Sequence, residues 1–239
     1  MKKVLLAIFA LACMGYGYAQ AQLVGNTGLT TDYRFRGISQ TQNAPAVQGG
    51  VDYAHASGFY AGNWNSSVSS LVYTNGAGVE NDVYAGYKTK VLGLELDVGS
   101  MNYFYPRATN NTSTNFDTNE IYVAVSQGPV TAKISNSLSN YFGAADSKNS
   151  RYYQLDVVQP VVGKLAAVAH VGRADVANNS GLNYTDWNIG AVYNLSGWDI
   201  AGKFYSNSNQ GNSFNATNTV NGQQLYRDTV VVSVSKSFN

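Results

Sequence analysis

The sequence predicts an all-β fold: one antiparallel transmembrane β-barrel of about 12 strands, with short turns at one end and longer loops at the other. Three observations point there. Apolar and polar residues alternate with a period of two along most of the chain. Long and short connections alternate strictly between those runs. The composition is poor in charge and rich in tyrosine and glycine.

Composition narrows the class. Charged residues are 12% of the chain, about half the share of an ordinary soluble domain. There are 18 tyrosines and 24 glycines but only 4 prolines. The formal charge is +1, so nothing supplies the basic excess that a nucleic-acid partner would require. The single cysteine, Cys13, excludes a disulfide framework or a thiolate metal site.

The chain opens with Met1-Lys2-Lys3, an uncharged apolar run from Val4 to Met14, and the small-x-small triplet Ala19-Gln20-Ala21. These are the parts of a secretory signal peptide, expected to span 1–21 and leave a barrel domain over 22–239. Ala10-Leu11-Ala12 before Cys13 matches a lipoprotein signal poorly.

The strands follow in order. In Leu29–Arg36, one face carries Leu29, Thr31, Tyr33 and Phe35; the other carries Thr30, Asp32, Arg34 and Arg36. Next, Val47, Val51 and Tyr53 oppose Gln48 and Asp52, and Tyr60, Gly62 and Trp64 oppose Asn63 and Asn65. Val83, Ala85 and Tyr87 oppose Asp82, Tyr84 and Lys88; Leu92 to Val98 alternates with Glu95 and Asp97. Ile121, Val123 and Val125 oppose Glu120 and Tyr122, and Val130, Ala132 and Ile134 oppose Thr131 and Lys133. Tyr153, Leu155 and Val157 oppose Gln154 and Asp156, and Leu165 to Val171 alternates with Val168 and His170. Trp187 to Tyr193 opposes Asp186 and Asn188, and Trp198, Ile200 and Phe204 oppose Asp199 and Lys203. Val230, Val232 and Val234 close the series.

The connections carry independent information. The long ones are Ile38–Ala44, Ser69–Val79, Tyr105–Asp117, Ser139–Ser150, Ala174–Asn183 and Asn207–Gln224. Between them lie Ala54–Gly58, Thr89–Val91, Gln127–Pro129, Pro160–Lys164 and Asn194–Ser196. Short periplasmic turns and long external loops produce this rhythm, whereas a Greek-key sandwich has no reason to keep it. Aromatics near strand ends, among them Tyr60, Trp64, Tyr103, Phe104, Tyr105, Tyr152, Tyr153, Trp187, Tyr193, Trp198, Phe204 and Tyr205, are expected to form interfacial girdles. Alternation running into Phe238 is the kind of C-terminal strand that the outer-membrane insertion machinery reads.

Several blocks also resemble the TorF family of outer-membrane porins. They are Tyr33-Arg34-Phe35-Arg36-Gly37-Ile38-Ser39-Gln40, Pro45-Ala46-Val47-Gln48-Gly49-Gly50, Ser57-Gly58-Phe59-Tyr60-Ala61-Gly62, Glu80-Asn81-Asp82-Val83-Tyr84-Ala85-Gly86-Tyr87 and Ser235-Lys236-Ser237-Phe238. The resemblance implies an outer-membrane barrel and a pore.

If the apolar face meets lipid, the polar face lines the lumen. The expected lining is Asp32, Arg34, Arg36, Asp52, Asp82, Lys88, Glu95, Asp97, Glu120, Lys133, Asp156, Asp186, Asp199, Lys203 and Arg227, with Glu80 beside them. Such a lining suits a narrow pore for small solutes or ions, or an ion-pair network that plugs the lumen. Its acidic excess favours cations or neutral solutes. The expected surroundings are outer-membrane lipids, with no nucleic acid, cofactor or metal. The alternative function is a non-conducting surface protein whose loops bind a partner. A lipid hydrolase is the least favoured reading: His55-Ala56-Ser57 offers a base and a nucleophile, but in a short periplasmic turn.

Overall fold

The computed structural model describes residues 21–110, 113–208, 219–220 and 222–239. The expected leader, apart from Ala21, and the middle of the longest loop lie outside them.

Twelve antiparallel strands close into a barrel. They are β1 (Gln22–Thr30), β2 (Ala46–Ala54), β3 (Phe59–Ser67), β4 (Val79–Val91), β5 (Leu94–Phe104) and β6 (Thr118–Gln127). The second half is β7 (Val130–Ser137), β8 (Arg151–Val162), β9 (Leu165–Asp175), β10 (Tyr184–Leu195), β11 (Trp198–Asn207) and β12 (Thr229–Phe238). Each strand pairs with its sequence neighbours, and β1 pairs with β12 from Gly25↔Phe238 to Thr30↔Ser233. Closure leaves no strand edge unpaired, which is what a hydrocarbon surround demands of a sheet.

The turn chemistry explains the short end. Leu92-Gly93 and Ser196-Gly197 each put two consecutive residues at positive φ (52° and 83°; 52° and 88°). That is the two-residue hairpin turn whose twist matches the flanking strands. The other end carries the long loops.

Outward residues are apolar and open: Leu29, Val47, Val83, Ile121, Leu155, Ile189 and Val230 are all exposed. In water such a belt would be an aggregation surface; in a bilayer it is the lipid-facing wall. Outward asparagines (Asn65, Asn81, Asn102, Asn119 and Asn136) form a polar row at the long-loop end of this belt. Asn81 donates to Asn65 and Asn119 to Asn102, so part of the row satisfies itself.

Inward, tyrosines lie flat against glycines of the next strand. Tyr84 faces Gly62, Tyr60 faces Gly86 and Tyr122 faces Gly99 in register. A Cβ on Gly62 would come within 2.6 Å of the Tyr84 hydroxyl, so no larger residue fits beneath that ring. This pairing accounts for much of the tyrosine and glycine richness.

Three expectations need correction. The first strand is Gln22–Thr30, not Leu29–Arg36; the chain leaves the wall after Thr30 and turns into the lumen. Tyr33 and Phe35 are therefore inside rather than on the lipid face. In β3 the faces are reversed: Phe59 is outside, with Asn63 and Asn65, and Tyr60 and Trp64 pack inside. The girdle also divides. Phe104, Tyr153, Trp187, Tyr193, Trp198 and Phe204 face out, while Tyr60, Trp64, Tyr103, Tyr105, Tyr152 and Tyr205 face in.

Candidate functional site: a hairpin plug inside the barrel

The loop between β1 and β2 folds back into the barrel as a hairpin. Arg34 pairs with Ser39 and Phe35 with Ile38. The two turn residues, Arg36 (φ 48°) and Gly37 (φ 76°), are both left-handed, the geometry of a tight primed turn. Glycine is required at the second position twice over. Besides its φ, a Cβ there would sit 2.5 Å from the Asp186 Cβ on the barrel wall.

Asp32 organises the base of the hairpin. Its Oδ1 accepts from Ser39 Oγ at 2.6 Å and Thr41 Oγ1 at 3.1 Å; its Oδ2 accepts from Arg34 Nε at 2.6 Å. Arg34 spends its remaining donors on the loops around it. Nη1 donates to the carbonyls of Gly37, Leu225 and Arg227, and Nη2 to Asn43 Oδ1 at 2.7 Å. A guanidinium has five donors and no acceptor, and this nest of oxygens suits it.

Arg36, at the tip, crosses the lumen. Its Nη1 and Nη2 donate to Glu120 Oε1 and Oε2 at 2.8 and 2.7 Å, a bidentate pair, and Nη1 also reaches the Tyr141 hydroxyl at 3.0 Å. The side chains of Arg36 and Glu120 are only 6% and 2% exposed, so the pair is out of water. Four rings surround the guanidinium, with Tyr152 at 4.2 Å and Phe35 at 4.8 Å from their centroids, then Tyr141 and Phe142. Burial pushes the Tyr141 hydroxyl above the ordinary tyrosine range, with the Arg36 charge working against it.

Apolar packing surrounds these polar contacts. Phe35 meets Tyr103 and Phe142 edge-on at 5.3 and 5.5 Å, and Tyr33 meets Trp64 at 5.4 Å. Tyr33 also donates to Glu80 Oε1 at 3.2 Å. The plug thus sits inside the lumen at its long-loop end.

Below Gly37 the wall carries a second charged cluster. His170 Nδ1 lies 2.6 Å from Asp156 Oδ1, and its Nε2 lies 3.2 Å from Asp186 Oδ2. Tyr152 donates to Asp186 Oδ1 at 2.9 Å while its ring carries Arg36. Further round the wall Tyr60 bonds Asp97 at 2.7 Å and Lys88 approaches Asp97 at 3.7 Å, and between the two clusters Lys133 lies 4.1 Å from the Tyr122 ring centre.

The structure sorts the residues expected to line the lumen. Asp52, Asp82, Lys88, Glu95, Asp97, Glu120, Lys133, Asp156, Asp186, Asp199 and Lys203 occupy inward strand positions. Asp32, Arg34 and Arg36 are inside as parts of the plug rather than of the wall. Arg227 is exposed in the loop before β12, where only its carbonyl meets Arg34. Sequence reasoning missed Tyr152, Tyr141 and Phe142 as partners of Arg36. Gly37, midway between Arg34-Phe35 and Ile38-Ser39, was the available signal in the sequence for a tight hairpin turn. His55 and Ser57 do touch, Nδ1 to Oγ at 2.7 Å, but within one exposed short turn.

The fold and its interior define a porin-like β-barrel. A family model described as "Bacterial protein of unknown function (Gcw_chp)" matches residues 17–238, and the chain belongs to that family. Among solved structures, a KdgM porin aligns with a TM-score of 0.56 at 10% identity, over 90% of this chain and 99% of that one. A NanC porin aligns with a TM-score of 0.56 at 11% identity, over 91% and 100%. A KdgM porin in complex with disordered oligogalacturonate aligns with a TM-score of 0.53 at 9% identity, over 92% and 99%. At such identities the likeness speaks for the fold alone. No curated protein matches the sequence.

Proposed function

We propose that this protein is a bacterial outer-membrane channel for passive diffusion of small solutes or ions, held shut by its own first loop. The TorF resemblance, the apolar belt and the polar interior support the membrane and pore parts of this reading. The observation that carries it is the Arg36–Glu120 pair. A buried ion pair returns in Coulomb energy roughly what it costs in desolvation, so it closes the lumen without a large net commitment. When the hairpin withdraws, both charges regain water and a charged wall remains.

Withdrawal also makes the passage more acidic. Arg34 and Arg36 leave together with Asp32, a net loss of positive charge. The remaining wall is dominated by Asp52, Asp82, Asp97, Glu120, Asp156, Asp186 and Asp199 against Lys88, Lys133, Lys203 and His170. A ring of acid in a narrow lumen favours cations.

The second reading, a non-conducting barrel with partner-binding loops, is favoured by how completely the plug fills the long-loop end. Ion flux from vesicles separates the two. With refolded protein in potassium-loaded liposomes, the channel reading expects slow release from wild type and fast release once the hairpin 33–39 is replaced by a Gly-Ser linker. Equal, near-zero release from both proteins, each shown to be inserted, would favour the non-conducting barrel.

A further inference from the structure

The outward wall is almost free of charge. Along the twelve strands, among the described residues, outward positions hold Arg151, Arg173 and Asp175 together at the long-loop end of β8 and β9, and Lys236 at the opposite end. Charged side chains on a lipid face are costly at the bilayer midplane and tolerated only near its edges. Two arginines and one aspartate leave this patch with a net positive charge. Arg173 Nε meets Asp175 Oδ1 at 3.0 Å, and both side chains are about half exposed.

Directly below the patch the wall has a shallow, open apolar depression. Its cause is a small residue in a row of large ones. Ala132 is flanked in register by Val125 on β6 and Leu155 on β8, leaving a trough where a branched side chain would stand. Val123, Ile134 and Val171 continue its sides, and Arg173 closes its upper end. The register then puts Tyr153 beside Arg173, and Arg151 between Asp175 and Asn136. The asparagine row runs on from there along β7, β6 and β5.

We propose that this groove seats an acyl chain of a phosphorylated, acylated glycolipid of the outer leaflet, with its phosphate on Arg151 and Arg173. The proposal rests on the outer-membrane reading, which makes the long-loop end external. Each part of the ligand meets its own chemistry. Hydrocarbon fills the trough beside Ala132. Guanidinium groups take phosphate through charge-assisted hydrogen bonds. The amide oxygens of Asn136 and Asn119, whose nitrogens already donate to Ser137 and Asn102, suit sugar hydroxyls as acceptors, and a simple phospholipid headgroup does not supply such hydroxyls in number.

The test uses the full refolded barrel in detergent, with bound lipid counted by native mass spectrometry. The probes are bis-phosphorylated lipid A, the same lipid after phosphatase treatment, and phosphatidylglycerol. Wild type should retain one lipid A per barrel. The Arg151→Ala/Arg173→Ala double variant and the dephosphorylated lipid should each lower occupancy by about tenfold, as expected for lost charge-assisted contacts. Asp175→Asn should reach the same occupancy at lower added lipid, and Lys236→Ala, at the far end, should leave it unchanged. Equal occupancy in the double variant, or phosphatidylglycerol binding as well as lipid A, would overturn the proposal. A barrel that inserts into vesicles yet retains no lipid A overturns the proposal alone. A chain that fails to insert overturns the membrane reading as well.

Discussion

Arg36 and Glu120 lie 84 residues apart in the chain and meet inside the barrel through two parallel hydrogen bonds of 2.8 and 2.7 Å. One belongs to a loop and the other to the wall, so the contact anchors the hairpin inside the barrel. Everything else around it either orients these two groups or excludes water from them.

Removing one partner should release the hairpin rather than leave a lone charge in place. An uncompensated buried charge costs about 3–5 kcal/mol, which loosens the tip of the hairpin even though Asp32, Arg34 and Tyr33 still hold its base. Arg36→Ala should therefore increase protease cleavage within 31–45 on intact, inserted barrels. Unchanged protection of that loop would mean that the aromatic packing and the Asp32–Arg34 contacts seat it without the Arg36–Glu120 pair.

Gly37 is a stricter test of position than of charge. Gly37→Val imposes a β-branched side chain at φ 76° and drives it against Asp186. Left-handed strain costs about 1–3 kcal/mol, and the clash adds to it. Ion release from liposomes should approach that of the hairpin-replaced protein, with the barrel's strand content unchanged by circular dichroism. A variant as tight as wild type would show that the turn does not rest on the wall.

Trp64 can report the plug directly. It packs inside against Tyr33, whereas Trp187 and Trp198 face outward. In a Trp187→Phe/Trp198→Phe background, Tyr33→Ala should shift Trp64 emission to longer wavelength as water enters. The shift should be absent for Thr27→Ala, a change on the outer wall. Identical spectra for the two variants would place Tyr33 away from the lumen.

Cation preference should appear only when the hairpin is out. In a potassium chloride gradient, the hairpin-replaced barrel should give a reversal potential of cationic sign, and Asp186→Asn with Asp156→Asn should reduce it. An anionic sign would show that Lys88, Lys133 and Lys203 dominate the passage instead.

Much of the barrel was legible because its wall obeys one rule. Where lipid faces a strand, apolar residues must occur at every second position, and ten of the expected runs kept the right face. The two failures share a cause. Leu29–Arg36 alternates as well as any strand, yet Thr30 ends the wall and the alternation continues inside a lumen that is itself lined with aromatics. In β3, Tyr60, Gly62 and Trp64 look like a lipid face until the tyrosine–glycine contacts across strands are seen. Period two assigns a side, but an aromatic interior removes the chemical difference between sides. Most of the expected lining residues fall at inward strand positions, where charge escapes the apolar outer wall, whereas Asp32, Arg34 and Arg36 belong to the hairpin and Arg227 lies exposed in a loop. Their pairing was not legible, since Arg36 and Glu120 are joined only by closure of the barrel.

The most direct measurement is single-channel recording in planar bilayers of wild type against Glu120→Gln, both shown to be folded and inserted. The glutamine keeps the shape of the site and removes the charge that holds Arg36. Discrete openings in the variant, rare or absent in wild type, are the expected result. Equal silence from both proteins, or equal steady conductance, would contradict the claim that this pair holds the channel shut.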